Sequence, residues 1–487
     1  MKKHFIILWV TLLSISCGDD FLTKYPATSV VTEKAISNLA ETQTAVNGLY
    51  ALMASTYYYA GALSFYGDVK GDDMQSLYQS GRTPYPMYKF DHSTQSTNNG
   101  GMWGRPWYII RNASNIIQAI DNNKITDAQS DPDRLDDYKG QALAIRALAH
   151  FDLLRLHGYP YAKDEGASWG VPVLDHAITT EEQPIRKTVA ECYEFIINQL
   201  TQAIPLLSPE KNNGQINAYA ARALLARVYL YREKNKEAFE TARDLITELE
   251  NNKQYQLATR DKYISQFDLN NKFGSESLFE IAFSASDNPG RDGISYTMHW
   301  WGYADIVATK DFVDLMAEDP NDIRCQLLDK VYNGQEIEQN IRYWLMKYPG
   351  TSYDVPSVEN NYMIFRLSEV YLIAAEAGVK AGGEYRTPAL GYLNDIVSRA
   401  NPDNSVSDSE FTLDRVLKER RKELVGEGHR YFDALRNNRT IIRKGGWHLE
   451  GAPEEINWDY TKCILPIPKE QFQMNPDMQQ NPGYPRE

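Results

Sequence analysis

Apolar residues recur at three- to four-residue intervals in several segments of this chain, and those segments come in pairs. A helix with one apolar stripe must bury it against another element, so paired stripes predict helical hairpins. In one pair, Ala221, Leu224, Leu225, Ala226 and Val228 lead past Tyr229 into Ala238, Ala242, Leu245 and Ile246. The small residues Ala226 and Ala238 stand at the spacing that lets two tetratricopeptide helices approach closely. A second pair runs from Tyr362 through Ala374, Ala375 and Ala377, turns at Gly382 and Gly383, and resumes at Ala389, Leu393, Ile396 and Val397. A third joins the run past Leu135, Ile145 and Leu154, broken at Gly158-Tyr159-Pro160, to one that begins after Pro184 and reaches Leu207. A fourth joins residues 45–53 to residues 106–120 across an insertion of about fifty residues. The expected fold is mainly α: a tetratricopeptide-like scaffold of about four hairpins, with minor β and long irregular insertions.

Two segments do not fit the scaffold, near 56–102 and 255–361. Long loops in a compact domain are usually functional or disordered, and the aromatic content of these argues against disorder. The first holds Tyr57, Tyr58, Tyr59, Phe65, Tyr66, Tyr78, Tyr85 and Tyr88; the second holds Tyr296, His299, Trp300, Trp301 and Tyr303. Rings this costly to expose must pack or bind. Sugars present flat C–H faces that stack on aromatic rings and hydroxyls that take side-chain hydrogen bonds. Candidate ligand residues are therefore Tyr78, Arg82, Tyr85, Asn98 and Trp103 in the first segment, and Arg291, Tyr296, Trp300, Trp301 and Tyr303 in the second. Core or loop packing is the leading account of any single ring, above all Trp103, which opens a Trp-x-x-x-Trp-Tyr pattern at a helix start. Adjacent tryptophans on a strand would face opposite sides, leaving one as a platform. Charges in the first segment are mixed, which favours a neutral glycan. Asp72-Asp73 is either a calcium ligand pair or a solvated turn.

Near the C-terminus, Glu419, Arg420, Arg421, Lys422, Glu423 and Leu424 are followed by Gly426, Glu427, Gly428 and then His429-Arg430-Tyr431-Phe432-Asp433. Helical spacing alone makes these charges a solvated ion-pair face. As a signature, the stretch resembles the C-terminal motif of SusD/RagB outer-membrane lipoproteins, and the resemblance extends over nearly the whole chain. It implies a helical-repeat scaffold that cradles an irregular ligand-binding half. It also implies glycan capture without catalysis, and a lid role over a SusC-like TonB-dependent transporter that the scaffold half faces. RagB-type members imply peptide capture as the alternative, and an interaction scaffold without ligand is a third reading. No motif of the family covers the two insertions, so the candidate residues there rest on their chemistry alone.

Lys2 and Lys3 precede an apolar run from Phe5 to Ile15 that is too short for a bilayer, which needs ~20 residues, so residues 1–16 read as a secretory signal. Cleavage before Cys17 with lipidation of that residue resembles a bacterial lipobox, with Ser14 where leucine is usual; plain signal-peptidase cleavage is the alternative. Several acyl chains on Cys17 would hold the protein on a membrane without spanning it. Gly18-Asp19-Asp20 resembles the acidic tag that sends Bacteroidetes lipoproteins to the outer cell surface. The remaining residues, 17–487, read as a single domain. Its end, Leu465-Pro466-Ile467-Pro468 with Asn475-Pro476 and Asn481-Pro482-Gly483-Tyr484, reads as an extended strap.

The whole chain carries a net charge of -14, and loss of the signal makes it two units more negative, which disfavours nucleic acid and polyanions as partners. Cys192, Cys325 and Cys463 cannot all pair and lack metal-ligand spacing, so no disulfide framework, metal site or cofactor is expected. There is no His-Glu-x-x-His, no phosphate-binding glycine loop and no Gly-x-Ser-x-Gly elbow, and no enzyme activity is expected.

Overall fold

The computed structural model describes residues 35–77, 82–95, 97–179, 181–331, 342–352, 355–445 and 447–486. The expectations for the signal, Cys17 and Tyr78 fall outside these residues. Eight helices form the scaffold: α1 (Leu39–Met53), α4 (Thr97–Asp121), α5 (Pro132–His157), α6 (Val189–Ala203), α7 (Ala218–Tyr231), α8 (Asn235–Leu249), α11 (Leu367–Ala381) and α12 (Arg386–Ala400). Each packs on the next in that order, so the four hairpins stack into a row. Their ends are set locally. Thr188 and Glu191 form a reciprocal capping box on α6, and Asn217 caps α7 by accepting from the Ala220 N–H. Close approach follows from small residues: Ala226, Ala238 and Ala242 are fully buried, and a side chain at Gly378 in α11 would collide with Ala389 of α12. Among the described residues no helix is long and apolar enough to cross a membrane.

The remaining helices are shorter: α2 (Ala62–Val69), α3 (Pro84–Tyr88), α9 (Ile294–Met298), α10 (Lys310–Ala317), α13 (Leu413–Leu424), α14 (Arg430–Arg436) and α15 (Lys469–Met474). Strand pairs are small and antiparallel: β1 (Met74–Ser76) with β3 (Ile306–Ala308), β2 (Ser277–Ile281) with β6 (Tyr362–Arg366), β4 (Leu328–Val331) with β5 (Arg342–Leu345), and β7 (Ile441–Ile442) with β8 (Glu455–Ile456). The β1–β3 pair joins the two insertions, with Gln75 opposite Val307.

Several sequence expectations change here. Tyr362 lies in a strand ahead of α11 and not in the helix. The C-terminal strap contains the short helix α15. Most aromatics of the first insertion are core: Tyr58, Tyr59, Phe65, Tyr66 and Tyr88 are buried, and so is Trp103, which stands edge-on to His157. The largest correction concerns the signature helix α13. Its charges are not solvated: Glu419, Arg420 and Glu423 are buried. Glu423 takes ion pairs from Arg366 and Arg399 at 2.7 Å and from Arg324 at 3.2 Å. Arg366 also reaches Glu276 and Glu427, while Arg420 and Arg436 share Asp433. Burial raises the pKa of Glu423 and the surrounding arginines lower it, and the arginines win, holding the carboxyl well below the usual carboxylate range.

The Gly-x-Gly break that follows has a steric cause. Gly426 and Gly428 take φ of +80° and +77°, and both donate backbone N–H groups to Asp68 of α2. Asp72 and Asp73, the pair considered for calcium, are occupied by Arg430 and Arg421 at 2.5 Å. Neither is a solvated turn residue, since both are buried.

Candidate functional site

The second insertion is seated on the first by the Ile294 N–H, which donates to the Ala60 carbonyl at 2.8 Å. Beyond α9 the chain folds back on itself. Tyr303 N–H bonds the Tyr296 carbonyl at 2.8 Å, Asp305 N–H bonds the Thr297 carbonyl at 3.0 Å, and Gly302 N–H bonds the His299 carbonyl at 2.9 Å. Gly302 is required because a Cβ there would meet the Tyr296 carbonyl. Ala304 closes the turn at φ +51°, a left-handed conformation costing about 1 kcal/mol. His299 is buried and pins this turn. Its Nδ1 accepts from the Trp301 N–H at 3.1 Å, so Nε2 carries the proton that is donated to the Pro349 carbonyl at 3.2 Å.

This turn presents the aromatics. Trp300 and Trp301 have ring centroids 4.5 Å apart at 42°, and Trp301 is 52% exposed while Trp300 rests half-buried against Val307 and Trp344. The strand argument for opposite faces does not apply, because the pair sits in a turn and the rings lie together. Beside them Tyr296 and Tyr303 meet edge to face at 5.0 Å. The Arg82 guanidinium lies 3.8 Å from the Tyr303 ring centre and donates to Asp305 at 2.7 Å and to the Tyr303 carbonyl at 3.3 Å. Burial pushes the Asp305 carboxyl up to about 6, against the pull of Arg82. Arg291 stands 5.5 Å from the Tyr296 ring centre. The arrangement offers an exposed aromatic face edged by a fixed guanidinium.

Residues 20–230 match a family described as starch-binding and associating with the outer membrane, and residues 328–484 match the SusD family. The chain is 50% identical to a SusD superfamily protein from Bacteroides vulgatus whose crystal structure it matches with a TM-score of 0.89, over 92% of this chain and 100% of that one. This protein belongs to the SusD/RagB family. Among curated relatives it is 27% identical to SusD-like protein P2 of Formosa agariphila, across 99% of this chain and 100% of that protein. It is 32% identical to the starch-binding protein SusD of Bacteroides thetaiotaomicron over 28% of this chain and 22% of that one.

In this SusD/RagB chain, six sequence candidates come together: Arg82, Arg291, Tyr296, Trp300, Trp301 and Tyr303. Trp103 is core, and Tyr85 is half-buried in α3. Asn98 lies in the first turn of α4, with its side chain outside the described positions. Sequence reasoning missed Asp305, which orients Arg82, and the role of His299. A signal existed for both, since each lies within two residues of the aromatic run from Trp300 to Tyr303.

Proposed function

We propose that this protein captures neutral glycans at the outer surface of the outer membrane, held there by a lipid on Cys17, and passes them to a SusC-like TonB-dependent transporter that it covers as a lid. The observation that carries the binding half of this reading is the exposed Trp301 face backed by Trp300 and flanked by the Arg82–Tyr303 pair. The sequence family supports sugar as the ligand and the outer membrane as the place. Neutrality is supported by the site itself. Arg82 is compensated by Asp305, and exposed Arg291 adjoins exposed Asp292, so no net positive charge waits for an anion. The charges of Asp68, Lys70, Asp72 and Asp73, by contrast, are buried and say nothing about the ligand.

The test is a screen of residues 18–487 against amylopectin, laminarin, xylan, galactomannan and polygalacturonate by native-gel retardation, followed by calorimetry. Retardation by a neutral polysaccharide, lost in Trp300→Ala and Trp301→Ala, supports the reading. Binding only to polygalacturonate or to peptides, or unaltered binding in both variants, overturns it.

A further inference from the structure

A Cβ on Gly61 would lie 3.2 Å from the Asp292 carbonyl and closer still to that of Thr56, so the turn bearing Arg291 abuts the turn at residues 56–61 that carries Tyr57. Tyr57 is 47% exposed, and its ring lies directly on Gly101 in the first turns of α4. Three residues on, a Cβ on Gly104 would meet no atom of the described residues within 4 Å beyond its own helix backbone and chain neighbours. Four residues further, on the same helix face, Tyr108 is 58% exposed. A helical side chain normally leans over the preceding turn, yet the Tyr108 ring does not cover Gly104. Bare backbone therefore lies between two exposed tyrosines, with half-buried Arg105 at its edge. Glycine inside a helix costs about 1 kcal/mol relative to alanine. Gly101 offsets that by admitting the Tyr57 ring, but among the described residues no neighbour crowds Gly104 enough to require a glycine.

We propose that Tyr57, Gly104 and Tyr108 form a second sugar subsite on α4, continuous with the Trp301 platform, so that the ligand is an extended neutral glycan chain that engages both. This rests on the glycan reading above. Glycine lets a sugar ring approach the helix backbone, the tyrosines stack on its flat faces, and Arg105 supplies donors to its hydroxyls.

The experiment compares long and short members of two neutral glucans, amylopectin against maltotriose and laminarin against laminaritriose, on Tyr57→Ala, Tyr108→Ala, Gly104→Leu and Trp301→Ala proteins. Gly104→Leu is the decisive variant, because the site has room and leucine favours helix, so thermal stability should hold or rise. The expected result is a loss of polymer affinity of about three- to tenfold in the three subsite variants, at Tyr57, Gly104 and Tyr108, with trisaccharide affinity unchanged, and loss of both in Trp301→Ala. Unaltered polymer affinity in the subsite variants, with loss in Trp301→Ala, overturns the extension and leaves the glycan reading standing. Loss confined to the subsite variants, with Trp301→Ala unaffected, overturns the continuous site, since the two subsites would then share no ligand, and removes Trp301 from the glycan face. No binding of these glucans, of xylan or of galactomannan by the unaltered protein overturns both.

Discussion

The ion network around Glu423 and the aromatic turn around Trp301 invert the usual relation between polarity and burial. Three arginines gathered on the fully buried Glu423 hold α13 against β6, α12 and the turn before β4, while a tryptophan in the second insertion keeps half its surface in solvent. Charged residues are almost never fully buried unless paired, and large aromatics are normally well covered. The difference separates what makes the fold from the surface proposed to meet a ligand. The conspicuous charged signature is internal structure, and the loop whose motif names nothing carries the exposed chemistry.

Breaking the comparison on the buried side should give the largest effect. Glu423→Gln leaves Arg324, Arg366 and Arg399 short of a counter-charge, and removing one partner from a buried ionic cluster costs about 3–5 kcal/mol. Chemical denaturation should show that loss, with sugar binding failing only where the protein unfolds. Stability unchanged to within about 1 kcal/mol would mean the network is no more than a surface-type pairing. On the exposed side the expectation reverses. Trp301→Ala should leave the denaturation midpoint nearly unmoved and weaken glycan affinity by about 1–3 kcal/mol, the range of a central aromatic anchor.

The same inversion decides what could be read from the sequence. The four hairpins were legible because an apolar stripe with a 3.6-residue period needs no knowledge of distant partners. The network was not, because spacing within α13 predicts pairs along one helix. Its true partners, Arg324, Arg366 and Arg399, come from three other elements. At the site, Trp300, Trp301 and Tyr303 were legible as an aromatic run, and Arg82 as a polar companion. That Arg82 would cover Tyr303 across more than two hundred residues depends on the β1–β3 pairing, which three-residue strands do not announce. Trp103 was the candidate for which core packing was strongest from the sequence, because it opens a helix, and edge-on packing against His157 places it inside.

A finer separation comes from His299, buried like the network yet serving the exposed face. His299→Ala removes the bonds to Trp301 N–H and the Pro349 carbonyl, each worth about 1 kcal/mol net. Glycan affinity should fall by about three- to tenfold, less than in Trp301→Ala, through a loosened turn. His299→Asn, whose side-chain oxygen can still accept from Trp301 N–H, should recover part of it. Equal affinities in the alanine and asparagine proteins would show that the turn holds its shape without this pin.

The smallest effect is the most discriminating, because it gives the two regions different responses to pH. Glu423 is held far below the ordinary carboxylate range, so its contribution is fully present above about pH 4 and is lost only in strong acid. Asp305 is shifted the other way, to about 6 by burial. The folded protein therefore holds the Asp305 proton more tightly than the unfolded chain does. Its contribution to stability is full below about pH 4 and is lost as pH rises through about 6. Acidifying from about pH 7.5 to about pH 5 should thus firm the fold slightly at this residue while removing the charge that fixes Arg82 over Tyr303. Stability and glycan affinity should move in opposite directions across that window, affinity falling by less than about threefold. Asp305→Asn should flatten the affinity profile. A decline in affinity that persists in Asp305→Asn would assign the response to another group and remove the Arg82–Asp305 pair from the binding face.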